Sequence, residues 1–270
     1  MKLKQNNNYK LGLYSENKNE LLPISTVDIN VKIINKFSEL NLIHIYNNPY
    51  KDNIDAIFLI PKECVPIFKS LNMQYNGKTY EGIIDNKLIK INQIKYSDNN
   101  SLDISDYKDY IKKYLFFELK DIEPNQEIKV ELSFIEILEV EKKRIKYVIP
   151  DKYIPKNNNI QYYNYKYEIN VINTKKIENI FSNKKVIELE HKNEKEFFIK
   201  YNVNKVKKNN IDKIFKIEYE IEENNKPDLI IMKHPLYEND YACYFSINPK
   251  YIIEEKKEKE KKKKLIILLL

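Results

Sequence analysis

Only three glycines occur in this 270-residue chain, at positions 12, 77 and 82. A phosphate-cradling loop needs several close together, so nucleotide binding of that type is excluded. The scarcity has a conformational corollary: positions requiring positive φ must fall largely to Asn, the next most tolerant residue. Cysteine is rarer still. Cys64 and Cys243, scattered among three histidines, make no metal-ligand spacing. Each stands in an apolar context, which predicts a small buried hydrophobe with a free thiol; a bridge between them would need the two halves to pack together. Long apolar runs are missing too. The closing Leu265-Ile266-Ile267-Leu268-Leu269-Leu270 is six residues long, whereas a membrane-spanning helix needs about 20. The opening residues lack the apolar core of a secretory signal, and with free thiols this predicts a reducing, cytoplasmic setting.

What is present is a skewed vocabulary: 22 Tyr with abundant Asn, Lys and Ile, and 42% hydrophobic residues overall. The skew matches the coding bias of an A/T-rich genome, and the length suffices for two domains with real cores. Net charge is +7, of which Lys250 to Leu270 supplies +4 through eight Lys and four Glu. The body is therefore nearly balanced, and the basic excess is a terminal charge run rather than a stripe.

Period-two alternation dominates, the signature of strands with one buried face. Val27, Ile29, Val31 and Ile33 alternate with polar residues; Leu40, Leu42 and then His44 or Ile45 follow a hairpin connection at Asn35 to Ser38. Ile128, Val130, Leu132 and Phe134 alternate likewise. Ile135, Ile137 and Leu138 break that phase, which predicts a bulge or strand bend re-aiming the face. The best helical candidate is Ser105 to Tyr114. Pro150 to Asn159, with two prolines and three asparagines, predicts a domain boundary. Beyond it, strands are expected at Tyr163 to Val171, Lys185 to Leu189, Phe197 to Val203, Phe215 to Ile221, Leu229 to Met232 and Tyr241 to Ile247. The expected fold is all-β: a sandwich over 11–150, a smaller β-sandwich-like unit over 151–251, and a basic tail over 252–270.

Candidate chemistry is thin. His191, His234 or His44 could in principle activate Cys64 or Cys243, but no nucleophile signature or glycine-rich oxyanion turn accompanies them. Glu218, Glu220 and Glu222 alternate with Ile217, Tyr219 and Ile221, which makes them the wet face of a strand before it makes them a calcium or glycosidase site. Tyr162-Tyr163-Asn164-Tyr165-Lys166-Tyr167 could stack bases or sugars. The favoured reading is cross-strand pairing with hydroxyls at the sheet rim. No catalytic, cofactor-binding or metal-binding residue is assigned, and no cofactor or small-molecule substrate is expected.

A resemblance adds to this reading. Ile54-Asp55-Ala56-Ile57-Phe58-Leu59-Ile60-Pro61, an apolar run closed by proline, is followed by Cys64-Val65, Phe68, Met73 and Asn76-Gly77-Lys78-Thr79-Tyr80-Glu81-Gly82. With Leu11-Gly12-Leu13-Tyr14, Ile122-Glu123-Pro124-Asn125-Gln126-Glu127 and Val148-Ile149-Pro150, this string resembles the VIT domain of vault proteins and inter-alpha-trypsin inhibitor heavy chains. Ala56, Phe58 and Pro61 stand where that family places a small residue, an aromatic and a closing proline. Gly77 and Gly82 match its second hairpin, and Asn125 stands at a family glycine. Between Asp85 and Tyr110 the family's Ala- and Glu-rich helical stretch is missing.

The resemblance implies the N-terminal part of a protein in which a von Willebrand factor A domain follows a β-rich intervening region. No Asp-x-Ser-x-Ser, the magnesium-holding motif of that next domain, occurs here, so truncation or a frameshift in the lysine tract is the expectation. The implied function is a non-enzymatic protein–protein interaction or scaffold module with a protein partner of unknown identity. Two alternatives stay open: a nucleic-acid or anionic-membrane binder acting through Lys256 to Lys264, and an enzyme of unrecognised type.

Overall fold

The computed structural model describes residues 11–18, 20–62, 67–82, 113–141, 143–155, 162–183, 188–207, 215–222, 228–233 and 241–246. The chain forms two compact units, Met1–Glu222 and Glu223–Leu270. Both are all-β among the described residues.

The first unit opens with β1 (Gly12–Ser15), β2 (Glu20–Leu21), β3 (Ile24–Ile34), β4 (Phe37–Asn47) and β5 (Ile54–Pro61). It continues with β6 (Ile67–Tyr75), β7 (Lys78–Gly82), β8 (Tyr114–Ile122), β9 (Glu127–Ile137), β10 (Val140–Glu141) and β11 (Arg144–Ile149). A 3-10 turn at Asp151–Tyr153 leads to β12 (Tyr162–Ile172), β13 (Ile177–Ser182), β14 (Glu188–Asn193), β15 (Glu196–Lys207) and β16 (Phe215–Ile221). A large eight-stranded sheet runs β14-β15-β12-β3-β4-β9-β6-β7. Two four-stranded sheets, β2-β1-β5-β8 and β10-β11-β16-β13, share a core with its inner face.

Alternation sets that face. Val27, Ile29, Val31, Ile33, Leu40, Leu42, Ile128, Val130, Leu132 and Phe134 are all buried. On β4 the inward set is completed by His44 and Tyr46, while Ile45 is half-buried on the other side. The first small sheet covers one part of this face, with Phe58 of β5 edge-on to Tyr46 at 6.4 Å. The second covers another, where Tyr219 meets Phe197 at 5.5 Å and Phe215 meets Tyr167 at 4.3 Å. β5 differs from the alternating strands. Ile57 and Leu59 are as buried as Ala56 and Phe58, so its unbroken apolar run reflects a strand covered on both faces.

Turn chemistry follows the glycine shortage. Asn76 (φ 51°) and Gly77 (φ 66°) form the two-residue turn between β6 and β7, the double positive-φ arrangement that matches strand twist. The other non-glycine positive-φ positions among the described residues are Asn35, Asp121, Asn125 and Asn179. Asn125 thus adopts the left-handed geometry (φ 58°) that asparagine tolerates better than most residues.

Three expectations require correction. The boundary at residues 150–151 does not separate sheets: β12 pairs in parallel with β3 over Asn164 to Ile172, and β11 pairs with β16. A Pro- and Asn-rich connection reads the same whether it links domains or crosses between sheets of one core. The phase break at Ile135 does not re-aim β9. That strand stays in register with β4 through Ile137 opposite Phe37, and the irregularity lies on β6, between Phe68 and Ser70. Ile135 and Ile137 therefore point away from the core. Finally, Cys243 is exposed. It sits on β18 (Tyr241–Ser246), opposite Ile231 of β17 (Asp228–Lys233), in the two-stranded ribbon of the second unit, whose described residues supply no opposing layer.

The strands expected after residue 160 otherwise occur, with β13 added and β14 displaced towards its C-terminal side. The helical candidate Ser105 to Tyr114 lies outside the described residues as far as position 112, as does the whole segment 85–110; its last residue, Tyr114, opens β8.

Candidate interaction surface

The face of the large sheet turned away from both small sheets divides into two zones. Its middle carries polar groups paired across strands: Asn41 Nδ2 donates to Glu131 at 2.7 Å, and Ser133 Oγ donates to Asn41 Oδ1 at 3.3 Å. Lys166 bridges Glu168 at 3.1 Å and Asp28 at 3.8 Å, and Lys200 reaches Glu168 at 3.5 Å. These are ordinary solvated pairs on a sheet surface, each of modest worth.

At one end the chemistry changes. Ile172 lies opposite Ile34, Ile34 opposite Phe37, and Phe37 opposite Ile137, a row crossing β12, β3, β4 and β9 without a charge. One step inward, Ile135 lies opposite Ile67 of β6. Directly opposed side chains on a shared face touch, and three strand spacings make the row about 14 Å wide. Exposure is 41% at Ile34, 50% at Ile67 and 55% at Ile137. A single exposed isoleucine is common on protein surfaces; a contiguous apolar row makes a candidate contact surface.

The backbone beneath this row is braced. Asn35, at positive φ between β3 and β4, accepts through Oδ1 from the Thr174 N–H at 2.8 Å and the Thr174 hydroxyl at 3.1 Å. Its own N–H donates to the Ile172 carbonyl at 2.8 Å. The salt bridge Lys69–Glu39 lies at the inner margin. The row is a preformed surface, on strands held by their neighbours rather than on a loop.

The residues singled out from sequence fall elsewhere. His44 is buried and committed to internal hydrogen bonds, with Nε2 2.9 Å from the Tyr153 carbonyl and Nδ1 2.9 Å from the Tyr46 hydroxyl. His191 is exposed on β14. Cys64 and His234 lie outside the described residues, as do Glu223 and the tail. No group of three or more His, Cys, Asp or Glu with metal-holding geometry occurs among the described residues.

Glu218 and Glu220 occupy the outer face of the second small sheet, between buried Ile217 and Tyr219. Glu220 receives hydrogen bonds from Asn179 (2.9 Å) and Arg144 (3.1 Å), and Lys143 lies 3.0 Å away; these donors hold its carboxyl at about 2. Glu16, Asp55 and Glu118 converge on Lys120 at 3.0, 3.2 and 4.0 Å, a cluster the ammonium partly neutralises. Tyr163, Tyr165 and Tyr167 face inward and meet edge-on at 6.5 and 5.9 Å. Their arrangement is a core contact. Among the described residues, the hydroxyls of Tyr163 and Tyr167 have no hydrogen-bond partner, and they are buried rather than placed at the rim.

No helix among the described residues is long and apolar enough to cross a membrane. No family model matches the chain, and no curated protein does. Among solved structures, it is similar to a candidate nutrient binding protein of Legionella pneumophila, at 8% identity and TM-score 0.43, over 78% of this chain and 71% of that one. It is similar also to an M1 zinc metallopeptidase of Deinococcus radiodurans, at 7% identity and TM-score 0.38, over 82% of this chain and 45% of that one. A third likeness is to Legionella pneumophila aminopeptidase A, at 13% identity and TM-score 0.35, over 86% of this chain and 24% of that one. The chain spans less than half the length of either peptidase. At these TM-scores the likenesses carry no argument about family or activity.

Proposed function

We propose that the protein is a non-enzymatic interaction or scaffold module of the cytoplasm that engages a protein partner through the apolar row Ile172–Ile34–Phe37–Ile137. The observation that carries this reading is the contrast on one sheet face between a middle of cross-strand polar pairs and an apolar end with Ile34 and Ile137 exposed. Interfaces combine such an apolar centre with a polar rim. The VIT resemblance is part of the proposal. It is supported by the Asn76-Gly77 turn, by positive φ at Asn125, and by the placement of Ala56, Phe58 and Pro61 on the doubly covered β5.

The test is affinity capture from the native cell with the full chain, comparing wild type, Ile34→Lys/Ile137→Lys, and Lys32→Glu in the neighbouring polar zone. A saturable partner held by wild type and Lys32→Glu and lost by the double variant supports the proposal. An unchanged partner set across all three rejects it.

A further inference from the structure

One face of the β17–β18 ribbon is apolar along most of its length. Leu229 lies opposite Phe245 and Ile231 opposite Cys243, and Tyr241 shares their side of β18 two residues before Cys243. Leu229, Ile231, Tyr241 and Phe245 are each 58–60% exposed, and Cys243 is exposed among them. The fully exposed strand β14 shows how this chain dresses a strand for water: Glu188, Glu190, His191 and Lys192 fill it. The ribbon face carries the opposite chemistry.

A two-stranded ribbon is marginal in water by itself, and a second layer over its apolar side is what stabilises one. Two aromatic rings and two branched aliphatic side chains at this exposure, with the thiol, offer about 500 Å². Two copies packed face to face would therefore bury about 1,000 Å², where specific association begins. The face is also matched to itself. A twofold axis parallel to the strands lays β17 of one copy over β18 of the other, in the aligned manner of packed sheets. Leu229 then lies over Phe245 of the second copy and Ile231 over its Cys243, so that a branched side chain meets the smallest of the five. Each contact occurs twice, and neither places a charge under cover.

We propose that this face is a self-association surface, joining two copies of the chain through their β17–β18 ribbons. It is distinct from the apolar row of the first unit and does not rest on the function proposed for that row.

The test is sedimentation velocity of the full chain from about 1 µM to about 100 µM, with a reductant present so that no disulfide joins the copies. Dimers should form and should persist in about 0.5 M salt, which screens charged contacts but not apolar burial. Ile231→Lys and Cys243→Glu should each weaken self-association about tenfold or more, whereas Ile34→Lys/Ile137→Lys should leave it unchanged. An equimolar mixture of Ile231→Lys with Cys243→Glu should recover association, because the two new charges meet across the axis. A wild type that stays monomeric, self-association unchanged in Ile231→Lys or lost in Ile34→Lys/Ile137→Lys, or a mixture without recovery would overturn the proposal. Should the ribbon variants fail to fold, alkylation of Cys243 in wild type decides instead, read by mass spectrometry on the peptide that carries it. Its rate should fall about tenfold as the chain concentration passes the dimer midpoint, and a rate independent of concentration would overturn the proposal.

Discussion

Ile169 on β12 lies directly opposite Val31 on β3, in parallel register, and both are buried. This pair closes a seam between a strand near the start of the chain and one beyond the Pro- and Asn-rich connection. β3 gains its second neighbour from β12, and β11 gains its partner from β16.

A fragment ending at Pro150 would expose Ile29, Val31 and Ile33 on a new sheet edge and strip the cover from Ile145 and Tyr147. It is expected to melt without a cooperative transition, whereas residues 1–222 melt in one. Thermal denaturation by circular dichroism checks this. A sharp transition in the 1–150 fragment would contradict it.

Two core substitutions should act with opposite sign. Ile169→Ala opens a cavity at a fully buried position and should cost about 2–5 kcal/mol. Tyr167→Phe removes a buried hydroxyl that has no partner among the described residues and should stabilise by about 1 kcal/mol. Urea unfolding midpoints at unchanged m-value measure both.

At Asn125, φ is 58°, so Asn125→Gly should be tolerated while Asn125→Ala costs about 1 kcal/mol through left-handed strain. Equal stability of the two variants in chemical denaturation would refute the conformational role assigned to this asparagine.

Stability should rise with pH between about 4 and 6.5 through His44. Its folded pKa is depressed by burial, so in that window the unfolded chain binds the extra proton. The contribution is complete above 6.5 and is lost as pH falls through the folded pKa, amounting to about 3 kcal/mol. Glu220 acts in the same direction at lower pH, present above its ordinary 4.5 and lost towards 2. Asp28, Glu118 and Glu136, raised by burial, slope the other way. Comparing wild type with His44→Gln isolates the histidine: the difference in unfolding free energy should vary with pH only where His44 titrates, and a pH-independent difference would refute the assignment.

Alternation made the inner face of β3, β4 and β9 readable, because a side-chain period of two leaves little choice once one face is buried. The Asn76-Gly77 turn was equally plain, since few residue pairs accept positive φ twice. The apolar row was not. Ile135 and Ile137 read as a shift of the buried face because hydrophobicity marks what avoids water, not which partner supplies the cover. Only the register with Phe37 shows that they point outward. The parallel seam was hidden for another reason: period two identifies strands but carries no information about which distant strand pairs with which.

The apolar row as the place of contact has a direct test. Hydrogen exchange of the captured complex, compared with the free protein, should show new protection at residues 34–39, 67–71 and 135–138, with the charged outer face of β11 and β16 unchanged. Protection confined to that charged face, with residues 34–39 exchanging as in the free chain, would contradict it.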